Sequence, residues 1–193
     1  MSSRVTLAAE GLPRRAFSVG DLDRMIEIGL IAEHERIELV GGELVPMSPK
    51  GPRHELVKAA LLERWVPGAR GLGLRILPNT PWGLAEDALF EPDFVVYDRA
   101  AGLEGLLPQT TLLVVELAEA SLGYDLGMKA QIYAGFGVPE LWVVDVRRLV
   151  VHVHRQPDPE GYTSQIVLGP DDIAIPERVP EMALRLSDLE IGW

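Results

Sequence analysis

Two short stretches hold the residues best suited to chemistry. In FEPDFVVYD an aspartate, Asp93, opens an apolar run, and in TTLLVVELA a glutamate, Glu116, lies towards the end of another; Lys129 follows within GYDLGMKAQIYAGFG. A carboxylate inside an aliphatic strand is costly unless it is paired or bound to a metal. Successive strand residues point to opposite faces, so Asp93 shares a face with Val95 and Tyr97, and Glu116 shares one with Val114 and Leu112. If the two strands are antiparallel neighbours, the start of the first lies beside the end of the second and the acids converge. Their repulsion is then relieved by shared protonation or by a hard divalent cation such as Mg2+. Lys129, Ile132, Tyr133 and Phe136 fall on one helical stripe, which Lys129 heads. A core-facing lysine is unusual unless its ammonium reaches a carboxylate or a substrate. A metal with a lysine beside it suits hydrolysis, because the ammonium can hold an attacking water or stabilise charge developing on a phosphate.

The elements that must position these residues can be read from spacing and punctuation. FSVGDLDRMIEIGLI predicts a short helix with Ser18 as its N-cap and Leu22, Met25, Ile26 and Gly29 on one stripe. ERIELVGGELVPM predicts a hairpin turning at Gly41-Gly42, with Glu43 in its second strand. From His54 to Trp65, Val57, Ala60, Leu61 and Trp65 take helical spacing, and Pro67-Gly68 is expected to stop the helix. GLRILPNTPWGLAEDALFEPDFVVYD reads as two or three short strands broken by Pro and Gly. A strand over 112–118, a helix capped by Asp125 and running to about Phe136, and a strand over 141–146 form a crossover unit. The rest reads as a meander of strands.

Composition bounds the possibilities. The 193 residues suit one domain, 1–193, divided into an N-terminal helix and hairpin (15–50), a catalytic core (52–146) and C-terminal strands (147–193). There is no cysteine, which excludes disulfides, thiol catalysis and cysteine metal sites. No signal peptide or membrane-spanning run is visible, so a soluble cytoplasmic protein is expected. With 18 basic and 29 acidic residues the net charge is -11, the wrong sign for holding DNA by bulk electrostatics. Any nucleic-acid contact must therefore be local. One segment, SPKGPRHELVKAALLERW, gathers Lys50, Arg53, His54, Lys58 and Arg64.

EPD, then VVEL, then YDLGMK and YAGFGVPELWVVD, resemble the putative restriction endonuclease family of bacterial proteins, within the PD-(D/E)XK nuclease superfamily. The likeness takes in most of the chain, from ELVGGELVPMSPKGPRHELV to LRLSDLEI. It implies an α/β restriction-endonuclease-like fold, with a central mixed sheet flanked by helices. It also implies Asp93 and Glu116 as ligands of Mg2+ or Mn2+, Lys129 as the catalytic lysine and Glu43 as a further metal ligand. Ala118 stands where the short superfamily motif has its lysine, and Lys129 matches the family's habit of supplying that lysine from the next helix. AEAS replaces the family's Ser- or Pro-rich turn after Glu116. The expected activity is Mg2+-dependent hydrolysis of DNA phosphodiester bonds by a homodimer, with His54, Arg53 and Tyr124 as candidate substrate contacts.

Plainer readings stand beside these. Asp93 alone reads as a turn acid bonding backbone amides, Glu116 as an arginine's partner, and Lys129 as the helical partner of Asp125. His54 reads equally as an exposed helix-start histidine. His152 and His154, two apart on one strand face, read as surface residues for want of a third metal ligand. Tyr133, Trp82, Trp142 and Trp193 read as packing and Asp145 as a turn acid. The alternatives to a DNA nuclease are a hydrolase of small phosphoesters and a non-catalytic module that keeps the scaffold for binding or assembly.

Overall fold

The structure is a computed structural model describing residues 5–7 and 13–192. The chain divides into two compact units, residues 1–48 with 81–91, and residues 49–80 with 92–193. Trp193 lies outside the described residues.

In the first unit, β1 (Val5–Leu7) pairs antiparallel with β2 (Pro13–Arg15). Helix α1 (Val19–Glu27) starts as expected: Ser18 caps it and forms a reciprocal capping box with Asp21. Of the expected stripe, Leu22 is buried and Met25 packs beside it, whereas Ile26 is turned outward. Strands β3 (Ile37–Val40) and β4 (Glu43–Pro46) make the predicted hairpin, and both turn glycines have positive φ, 56° at Gly41 and 82° at Gly42. That is the backbone which Gly-Gly adopts without a steric penalty.

The stretch read as two or three strands holds four. Two of them, β6 (Trp82–Ala85) and β7 (Ala88–Phe90), pair with each other and extend the hairpin into a sheet of order β4-β3-β7-β6. The other two, β5 (Leu74–Pro78) and β8 (Phe94–Asp98), belong to the second unit.

That unit is built on a mixed six-stranded sheet of order β12-β11-β10-β9-β8-β5. Its centre is β9 (Leu113–Ala118), buried along its whole length, with β8 antiparallel on one side and β10 (Glu140–Asp145) parallel on the other. Strands β11 (Val150–Asp158) and β12 (Gly161–Leu168) complete the predicted meander. Helix α2 (Pro52–Ala69) lays Val57, Leu61 and Trp65 on Phe94, Val115, Leu117 and Trp142. It continues through Pro67 instead of stopping there, because in the last turn the missing N–H removes only one bond. The C-terminal segment joins the same core through Met182, Leu184 and Leu186, and Trp65 Nε1 donates to the Met182 carbonyl at 3.0 Å.

The crossover from β9 to β10 begins earlier than expected. It opens with α3 (Leu122–Tyr124), passes through a π-helical turn (Asp125–Lys129) and continues as α4 (Ala130–Gly135). Asp125 is therefore inside the helical run and is not its cap; Ser121 Oγ donates to its carboxylate. The extra residue in the π turn shifts the buried stripe to Lys129, Ala130, Tyr133 and Ala134, leaving Ile132 and Phe136 half-buried.

Candidate functional site

The ladder between β8 and β9 sets the geometry. Phe94 lies opposite Val115 at the end of the ladder, and the residues that adjoin this pair are Asp93 and Glu116. Beyond that pair the Leu117 N–H on β9 donates to Asp93 Oδ2 at 2.8 Å. The other carboxylate oxygen, Oδ1, accepts from Lys50 Nζ at 2.6 Å and sits 3.0 Å from His54 Nε2. Burial pushes the Asp93 carboxyl up, but the His54 hydrogen bond and charge, with the Lys50 charge, outweigh it and hold the group down at about 2.

Glu116 is gripped from the crossover helix. Lys129 Nζ lies 2.9 Å from its Oε1, and the Tyr133 hydroxyl donates to the same oxygen at 2.8 Å. Lys129 and Tyr133 are four residues apart, so one helix face brings both donors to one acceptor. On the other side Glu116 is paired in register with Val143 of β10. The Lys129 ammonium also stands 6.0 Å from the centre of the Tyr124 ring.

Asp93 just before β8, Glu116 within β9 and Lys129 in the helical run that follows are the residues on which the resemblance in the sequence rests. The family model described as "Putative restriction endonuclease" matches residues 21–187. The chain belongs to that family. Among solved structures it is similar to a protein from Anabaena variabilis described as a putative nuclease, with a TM-score of 0.67 at 14% identity, over 89% of this chain and 96% of that one. A comparison with curated proteins finds no match. At that identity the likeness bears on the fold, which is the restriction-endonuclease-like α/β fold expected of the family.

Asp93 and Glu116 offer hard oxygen donors, the type that Mg2+ and Mn2+ take, and Mg2+ is commonly held by one or two carboxylates with waters and substrate phosphates completing its shell. Among the described residues no three His, Asp or Glu side chains gather into a ready cluster. Asp93 and Glu116 are thus donors of the type such a cation takes, and each is met here by an ammonium.

The remaining candidates are placed as follows. Glu43 lies exposed on β4 of the first unit; the buried acid of that hairpin is Glu38, which accepts from the Glu91 N–H at 3.2 Å. Arg53 is exposed on the first turn of α2 and Tyr124 is half-buried at the start of the π turn. His54 is buried, not an exposed helix-start residue, with Nδ1 3.0 Å from Glu55 and Nε2 on Asp93. Asp145 is a turn acid as expected, accepting from the N–H groups of Arg147 and Arg148.

Tyr133 is core, as expected, and its hydroxyl is also a direct partner of Glu116. His154 is not a surface residue: it is 3% exposed, neither ring nitrogen has a hydrogen-bond partner, and burial with the neighbouring His152 charge lowers its pKa to about 4. The alternation on β11 puts His154 on the inner face opposite Leu141 of β10, where an imidazole is enclosed by the sheet and the crossover helix.

Sequence reasoning missed Lys50 as a partner of Asp93, together with Asn79, whose Oδ1 accepts from the same ammonium at 2.5 Å, and Glu119, whose carboxylate takes the His54 N–H at 3.4 Å. The hint in the sequence is Asn79-Thr80 before Pro81, a turn signal, and asparagine tolerates the positive φ of 45° found there. Among the described residues no helix is long and apolar enough to cross a membrane.

Proposed function

We propose that the chain is a metal-dependent endonuclease that hydrolyses DNA phosphodiester bonds at a site formed by Asp93, Glu116 and Lys129. The observation that carries this reading is the buried Lys129 ammonium at 2.9 Å from Glu116, on the strand whose Leu117 N–H donates to Asp93. Asp93 and Glu116 would hold Mg2+ or Mn2+. The bound ion would supply Lewis-acid activation of water and neutralise charge on the phosphate.

The chain's own residues do the remaining work. Lys129 orients a water by hydrogen bonding from Nζ, takes a proton in its neutral form, or stabilises the developing phosphate charge as an ammonium. Tyr133 fixes the Glu116 carboxylate so that its oxygens keep one orientation, and His54 does the same for Asp93. Arg53 and Tyr124 are the proposed contacts to DNA, local ones on a protein whose net charge is -11. A homodimer in the cytoplasm, cutting a duplex as a two-fold pair, belongs to the same proposal.

A second reading is favoured by a specific observation. Each carboxylate already has a lysine, Lys50 on Asp93 and Lys129 on Glu116, as expected of structural ion pairs in a non-catalytic binding module. Plasmid incubated with Mg2+ or Mn2+ and the purified protein separates the two. The nuclease reading expects nicking by the wild type and none by Glu116→Ala; intact plasmid throughout, or equal nicking by both proteins, would overturn it.

A further inference from the structure

Lys50 takes no part in the chemistry proposed above, yet its ammonium lies on the carboxylate oxygen that a divalent cation needs. Asp93 Oδ2 is spent on the Leu117 N–H, while Oδ1 carries both the Lys50 ammonium at 2.6 Å and His54 Nε2 at 3.0 Å. An ammonium and a divalent ion beside one desolvated carboxylate repel each other, so their occupancies compete.

Of the two lysines, Lys50 is the one able to leave. Its side chain is 16% exposed against 3% for Lys129, and it stands in the loop between Pro49 and Gly51, ahead of α2, so withdrawal into water unwinds no helix. Lysine is a compact point charge on a flexible stem, suited to such a swing. Asn79 acts as the catch. Its side chain accepts from Lys50 at 2.5 Å while its N–H donates to the Asp93 carbonyl at 3.2 Å, so one residue holds the ammonium against the strand.

We infer that Lys50 is a displaceable internal counter-ion of Asp93, which closes the site in the resting protein and must swing out before a divalent cation binds. The inference rests on the metal reading of Asp93 and Glu116.

Calorimetric titration with Mn2+ alone, on the wild type, Lys50→Met and Asn79→Gly, tests it. Glycine suits the positive φ at position 79 and keeps the backbone N–H, so Asn79→Gly removes only the catch. Lys50→Met is expected to bind Mn2+ about tenfold or more tightly than the wild type, as follows from removing one adjacent positive charge at a largely desolvated site. Asn79→Gly should shift affinity in the same direction by less. Binding by Lys50→Met where the wild type shows none also supports the inference. Equal or weaker binding by Lys50→Met, with a wild type that binds, overturns it and leaves the metal site standing. No binding by any of the three overturns both. A purely structural Lys50 would lower the melting temperature of Lys50→Met without raising affinity, and if that variant does not fold, unchanged or weaker affinity in Asn79→Gly overturns the inference.

Discussion

Lys129 sets its ammonium 2.9 Å from the carboxylate of Glu116, and both side chains are almost wholly buried. An ion pair so enclosed stabilises the fold little compared with an apolar pair, yet leaving one partner alone is expensive. The π turn that delivers Lys129 is likewise a costly and uncommon local structure, frequent at functional sites. Both features are easier to account for if the pair serves chemistry.

Lys129→Met should abolish detectable cleavage, a loss of at least about 100-fold if Lys129 stabilises the reacting phosphate. It should also destabilise the protein by about 3 kcal/mol, because the buried Glu116 carboxylate loses the ammonium at 2.9 Å. Plasmid nicking and urea unfolding measure the two effects separately.

Tyr133→Phe keeps the packing and removes only the hydroxyl that donates to Glu116 at 2.8 Å. Unfolding free energy should fall by about 1.5 kcal/mol, the range for a hydrogen bond to a charged group. Cleavage should fall by about tenfold, the usual effect of losing a residue that orients a ligand. Loss as complete as that of Glu116→Ala would make Tyr133 a participant in the reaction.

The buried imidazole of His154 gives a pH signature away from the site. Its pKa in the fold is about 4 against an ordinary 6.5, so between these values the unfolded chain binds the proton and the folded chain does not. Stability contributed by the neutral ring is therefore present above about pH 6.5 and declines as pH falls towards 4. His154→Leu should flatten that decline and raise the melting temperature most at pH 5, as followed by circular dichroism.

Asp93 governs the acid limb in the metal-free protein. Its carboxyl is held at about 2 against an ordinary 3.8, so the stability it contributes is complete above that ordinary value and is lost as pH falls to about 2. Asp93→Asn should be less stable than the wild type at pH 7 and should approach it near pH 2, as measured by urea unfolding at each pH.

Much of this was legible in the residues themselves. The aspartate and glutamate of the apolar runs, the inward-facing Lys129 and the Gly41-Gly42 hairpin follow from periodicity and punctuation, and β8 pairs antiparallel with β9 as that reading requires. What escaped was tertiary. The salt bridge from Lys50 to Asp93 spans 43 residues and joins a loop to a strand start, with no period to announce it. The π turn evades a reading that assumes helical spacing, which is why Asp125 looked like a cap. His154 reads as exposed because a polar residue on a late strand usually is, whereas its ring is buried with the Tyr162 ring 5.6 Å away.

The central claim is that Asp93 and Glu116 bind a divalent cation for hydrolysis, in spite of the lysines that meet them. The most direct measurement is Mn2+ titration of the wild type beside Glu116→Gln, with plasmid then added to whichever protein has bound. The account predicts saturable binding by the wild type that is lost in the variant, and nicking by the wild type alone. Equal binding by the two proteins, or a wild type that binds no Mn2+, would contradict it and leave both acids as structural members of ion pairs.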